Sequence, residues 1–163
     1  MGTPVDDVIN LFLSRVEEDR SFFHYRGMSD EESMKIVKSR STQYLKLAIA
    51  RVTLDCHPSI SFMLTDDKEN FSETLTYVEE FLLSSLMYEY YLEKDIARLK
   101  TYNVNYTSSE LRVFDPSNAR TSFQALYDDI RGQNLCLLDS YRNTDRVTGE
   151  FTSIDFDQYA EES

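Results

Sequence analysis

A chain of 163 residues with 29 acidic against 17 basic side chains, a formal charge of −12, lacks the basic footprint of a tight DNA binder, since duplex DNA is gripped by Lys and Arg that neutralise its phosphates. The hydrophobic share of 41%, with 10 Phe and 11 Tyr, supplies enough bulky surface for a core and excludes an intrinsically disordered chain. Four glycines and three prolines leave little material for the turns of an all-β sandwich, so the expectation is an all-α protein.

Thr3 followed by Pro4 reads as N-cap and first helical position. Val5, Val8, Ile9, Phe12 and Val16 then recur at helical spacing, which predicts a first helix over residues 4–18. The run Phe22-Phe23-His24-Tyr25-Arg26-Gly27 breaks the period. Ser29 with Glu32 has the form of a capping box and opens a second helix. Its stripe of Met34, Val37, Tyr44, Leu45, Ala48 and Val52 carries it to about Leu54, before Cys56-His57-Pro58 ends it.

Residues 58–72, with Asp66, Asp67 and Glu69, read as a solvated connector. A third helix is expected from Glu73 to Lys100, with Leu75, Val78, Leu82, Leu86, Leu92, Ile96 and Leu99 on one face and Tyr77, Phe81, Tyr88 and Tyr91 on another. A helix apolar on two faces is buried on two sides, which places this one at the centre of a bundle. Asn103 to Phe114 is the place for a short β-hairpin or an irregular ordered loop. Asp115-Pro116-Ser117 opens a fourth helix, striped by Ala119, Phe123, Leu126, Tyr127, Ile130, Leu137, Leu138 and Tyr141, with Gly132 marking a bend.

The periodicity ends after Tyr141, and residues 143–163 hold six acids against the single base Arg146. The expected organisation is therefore a four-helix bundle over residues 1–142 and an extended acidic C-terminal arm over 143–163. Phe151, Ile154, Phe156 and Tyr159 are interleaved with the acids of that arm and are candidates for a contact laid on a partner protein. The alternatives are an arm packed on its own bundle or a disordered one.

The residue types that chemistry needs are sparse. His24 and His57 are the only histidines, no Glu-x-x-His pair exists, and Cys56 and Cys136 match no metal or redox spacing. Cys56 beside His57 is a dyad in sequence only, and glycines at 2, 27, 132 and 149 form no phosphate-binding loop. Glu89 and Glu93 share a helical face as paired carboxylates would, but Lys94, Arg98 and Lys100 favour a solvated face laced with ion pairs. No catalytic, cofactor or metal residue is assigned, and the expectation is a non-enzyme. No apolar run approaches the roughly 20 residues of a membrane span, and no secretory leader is recognised. Tyr88, Tyr90 and Tyr91 spread over too wide an arc for one core face, so Tyr88 and Tyr90 are candidates for a subunit contact, against the alternative of surface tyrosines without a role.

Three segments carry a resemblance: Thr3 to Leu13, the central run Leu82 to Lys100, and Asn105 to Phe114. In their order and pattern the chain resembles the head–tail connector, or neck adaptor, proteins of tailed bacteriophages. The resemblance implies a helical-bundle subunit that forms a ring, commonly a dodecamer, beneath the portal protein. It also implies contacts to the portal and to a downstream stopper or tail-completion protein, and passage of double-stranded DNA without specific binding. It implies a place in the virion neck after assembly in the host cytoplasm, no enzymatic activity, and arms or tails that dock on neighbours. It assigns no individual binding residue. The competing readings are an acidic helical regulatory module that mimics DNA or masks a basic protein, and, third, a bundle enzyme using Glu89 and Glu93.

Overall fold

The computed structural model describes residues 2–17, 20–25, 27–105 and 116–152; the side chains at 20–21, 98–105 and 116–120 are not described. Its helices are α1 (Val5–Val16), α2 (Arg20–Phe23), α3 (Asp30–Cys56), α4 (Tyr77–Asn105) and α5 (Pro116–Asn143). The four long helices pack on one another as an all-α bundle, and α2 is a single turn. As expected, α4 is central: it packs along α1, α3 and α5, whereas α1 and α5 share at most a marginal contact.

Local chemistry sets the helix ends. Ser29 caps α3: its Oγ accepts from the Glu32 amide at 3.3 Å, and the Glu32 carboxylate accepts from the Ser29 amide at 2.9 Å. The helix runs two residues past Leu54 and stops where His57 turns left-handed at φ 46°. At the N-terminus the expected cap is displaced. Pro4 holds the N-cap position without a side-chain bond, and the Thr3 hydroxyl instead accepts the Leu75 amide at 2.8 Å. The start of α4 also shifts from Glu73 to Tyr77, because Thr76 and Glu79 form a second capping box, with bonds of 2.6 and 3.3 Å.

The connector is not a solvated strap throughout. Asp66, Asp67 and Glu69 are exposed, but Phe62 and Phe71 are buried in the core. An isolated bridge from Leu64 to Phe71 folds the segment on itself, and another from Pro4 to Asn70 ties it to the N-terminus, with the Phe71 amide donating to the Thr3 carbonyl at 2.8 Å and the Val5 amide to the Glu69 carbonyl at 2.9 Å. Gly2 sits so close that a Cβ there would lie 1.7 Å from the Phe71 carbonyl oxygen, a contact only glycine permits.

The break in period at Phe22 has a packing role. The single turn of α2 delivers the Phe22 ring among Phe12, Phe23 and Tyr91, at centroid distances of 5.4–5.9 Å and steep interplanar angles. Edge-to-face pairs of this kind add to simple area burial. The Arg40 guanidinium lies 4.7 Å above the Phe22 ring. On α4, Leu82, Leu86, Leu92 and Ile96 are buried as expected, and so are Leu83 and Met87, whereas Val78 is 58% exposed. On α5, Leu138 is buried but Phe123 and Leu126 remain 41% and 39% exposed, and the helix continues through Gly132. The segment expected to hold a hairpin is helical to Asn105, and its residues 106–114 lie outside the described residues.

Candidate functional site

The bundle buries two polar networks on α4, and neither was anticipated as such. In the first, Glu89 is 3% exposed and its carboxylate accepts from Arg51 of α3 and from Asn134 of α5, each at 2.7 Å. The Asn134 amide group also donates to the Ser85 carbonyl, and its oxygen accepts from the Ser85 hydroxyl at 2.7 Å, while Arg15 of α1 reaches Ser85 at 3.2 Å. Every named polar group has a partner, and α1, α3, α4 and α5 all contribute. Such a closed network fixes how four helices register rather than leaving an acid or base free to react. Glu93, the proposed partner of Glu89 in acid–base chemistry, is exposed, so one carboxylate is locked among donors while the other faces water.

The second network pins the chain beyond α5. Glu79 is fully buried, and its carboxylate accepts from Arg146 Nε at 2.8 Å and Nη2 at 2.9 Å, from Tyr141 Oη at 2.8 Å and from the Thr76 amide. Burial works to raise the Glu79 carboxyl, but the bonds from Arg146, Thr76 and Tyr141 outweigh it and hold it below the usual range. Burial and the neighbouring Glu79 push the Tyr141 phenol well up. Arg146 also donates to the Thr74 carbonyl at 3.0 Å. Around it, residues 144–152 close a turn in which Asp145 accepts the Val147 and Thr148 amides and Thr144 bridges to Phe151.

Of the expected contact residues, Tyr88 is half-buried and stacks on Tyr91 at 6.0 Å, with burial raising its phenol. Tyr90 is half-buried on the other side, near Arg51. The structure therefore does not bring the two together on one patch. Phe151 is 80% exposed; Ile154, Phe156 and Tyr159 lie outside the described residues. Cys56 is buried with its thiol directed at the Leu138 carbonyl and pushed up by burial and then by Asp55, while His57 faces solvent. Among the described residues, no three His, Cys, Asp or Glu side chains gather as metal ligands would, and no helix is long and apolar enough to cross a membrane.

Sequence periodicity missed one surface. Val78, Phe81, Ser85 and Tyr88 follow one another along a single face of α4. Arg15 of α1 lies 4.7 Å over Phe81, and Asn134 of α5 holds Ser85, so this face looks out between α1 and α5, the two helices that fail to close on each other. Arg15 and Asn134 bury Ser85 at the middle of this face, and the apolar surface that remains is Val78 at 58% and Phe81 at 37% exposure toward the start of α4, with Tyr88 half-buried beyond Ser85. The signal was present in the sequence as more apolar residues on α4 than three neighbours can bury. The class these features define is a helical-bundle protein with two bonded polar networks in its interior and apolar surface left exposed on its central helix. No protein-family model, curated protein or solved structure matches the chain.

Proposed function

We propose that the protein is a structural subunit of a phage neck. In this reading copies of it assemble into a ring, commonly twelvefold, between the portal and a downstream stopper or tail-completion protein, and the ring is a conduit for DNA. The observation that carries the reading is the apolar surface left exposed at Val78 and Phe81 on α4, because a ring subunit needs apolar surface beyond its own core. Phe151 and the apolar residues of the arm beyond it, Ile154, Phe156 and Tyr159, add candidate contacts to neighbouring proteins. The charge supports the conduit: twelve copies at −12 sum to about −144, and an acidic wall repels phosphates so that DNA slides without being held.

The test is co-sedimentation of the purified chain with portal rings, using the full chain and a chain ending at Thr152. Cutting there rather than at 143 keeps Arg146 on Glu79, so loss of binding is not loss of fold. Saturable binding to portal rings and weak, salt-insensitive behaviour toward DNA are expected. Tight, salt-sensitive DNA binding by the assembled ring refutes the conduit. Capture by a basic protein with no ring formed favours the second reading, an acidic module that masks a basic partner, which the −12 charge alone also supports.

A further inference from the structure

Outside both networks, the connector and the outer face of α3 enclose two adjoining depressions of about 400 and 640 Å³ that share Ile49, Phe62 and Met63. The smaller is rimmed by Lys46 and Lys68, with Leu64 in its wall and Asp66 beside it. The larger runs on to His57 and Glu73. Together they form a groove with an apolar floor, and Met63, at 70% exposure, is a large apolar side chain with nothing over it among the described residues. The two lysines contrast with other described cations: Lys38 pairs with Asp6, Arg51 with Glu89, Arg142 with Asp139 and Arg146 with Glu79, and Arg15, Arg40 and Lys94 lie over aromatic rings. Neither Lys46 nor Lys68 has an ion-pair partner among the described residues.

We propose that this groove is the docking site of the chain's own C-terminal segment, residues 153–163. The inference goes beyond the neck reading and stands without it: it concerns the free subunit, and contacts of the same residues to neighbouring proteins require release from the groove. Charge, chemistry and reach support it. The segment carries Asp155, Asp157, Glu161 and Glu162 with no base, and spaces Ile154, Phe156 and Tyr159 among them, so it offers apolar side chains to the floor and carboxylates to the two lysines. Its starting point is fixed: Thr152 bonds the Asn143 carbonyl at the end of α5, and the same end of the bundle holds the Cys56 to Leu138 contact and the Arg146 to Thr74 bond. His57 and Glu73, at the near end of the groove, adjoin Cys56 and Thr74 in the chain. From His57 to Lys46 along α3 is about 16 Å at 1.5 Å per residue. Eleven extended residues span about 36 Å, and a tether this short holds its end at an effective concentration in the millimolar range.

The experiment uses the full-length protein with Phe156 replaced by p-benzoylphenylalanine, photolysed at dilute concentration and mapped by mass spectrometry. The expected product is an intrachain cross-link to Met63, Ile49 or Phe62, with a yield independent of protein concentration. In a second protein carrying K46E and K68E as well, that yield falls about five-fold, because each attraction becomes a repulsion. Both lysines are exposed, so the bundle's circular dichroism is unchanged. Cross-links elsewhere on the bundle, covalent dimers in place of the intrachain product, or a yield indifferent to the two charge reversals overturn the proposal. Because no portal or second copy is needed, these outcomes are independent of those for the neck reading.

Discussion

Replacing Arg146 with Ala tests whether a residue beyond the last helix is part of what holds the bundle together. Glu79 has no exposed surface, and among the described residues two of its four bonds and its only cationic partner come from Arg146. Removing one member of a buried ion pair costs about 3–5 kcal/mol. Two features reduce that here. The Arg146 side chain is 22% exposed, so water enters the space it leaves, and Tyr141 and the Thr76 amide keep their bonds to the carboxylate. An effect of about 2–3 kcal/mol remains, or about 4–12 °C in Tm for a domain of this size. The assay is thermal unfolding followed by circular dichroism across a pH series. The wild-type carboxyl sits below its unfolded value, so its contribution to stability is present above the unfolded carboxylate pKa and is lost as pH falls through the folded one. Without Arg146 burial is left less opposed, so the gap between the two proteins is widest near neutrality and closes below about pH 4. A Tm within about 1 °C of wild type at pH 7, or a gap that persists in acid, refutes the argument.

Three further outcomes follow from the packing. Asn134→Ala strips partners from Glu89 and Ser85 in the interior and is expected to lower unfolding free energy in urea by about 1–3 kcal/mol, with the m-value unchanged. The two glycines at positions 2 and 132 respond with opposite signs. Gly2→Ala drives a methyl into the Phe71 carbonyl and costs about 1–3 kcal/mol, while Gly132→Ala, in open space on α5, stabilises by up to about 1 kcal/mol; the same urea titrations read both. Iodoacetamide is expected to modify exposed Cys136 alone in the native protein, since Cys56 is buried and its thiol is pushed up; two equivalents added at equal rates contradict this.

The helices were legible because their caps and stripes are local. Ser29 and Glu32 announce α3 by themselves, and Val5, Val8, Ile9, Phe12 and Val16 all turn inward on α1. What escaped depended on distant partners. Thr3 reads as a cap until Leu75, far along the chain, takes its hydroxyl, and Phe71 reads as part of a polar connector until its amide bonds the Thr3 carbonyl. The box at Thr76 and Glu79 was visible in type but was eclipsed by the leucine stripe that seemed to begin earlier. Asn134 gave no signal at all: a polar residue within an α5 stripe becomes meaningful only when Ser85 and Glu89 are found opposite it. For the candidate contacts, apolar excess on α4 was readable, but which residues were surplus was not, since Val78 and Leu82 share a stripe and only the latter is covered.

Thr3 is bonded to Glu73 and Leu75, and Arg146 to Thr74, so the beginning of the chain and its continuation past the last helix meet at one pole, where α4 begins. A short glycine-rich bridge from Thr152 to Thr3, with new ends opened elsewhere, is therefore a permutation the bundle tolerates. It also means that domains joined directly at Thr3 or at Thr152 crowd the same pole. Any stacking of this protein on another from the far side is insensitive to what is joined at those two residues.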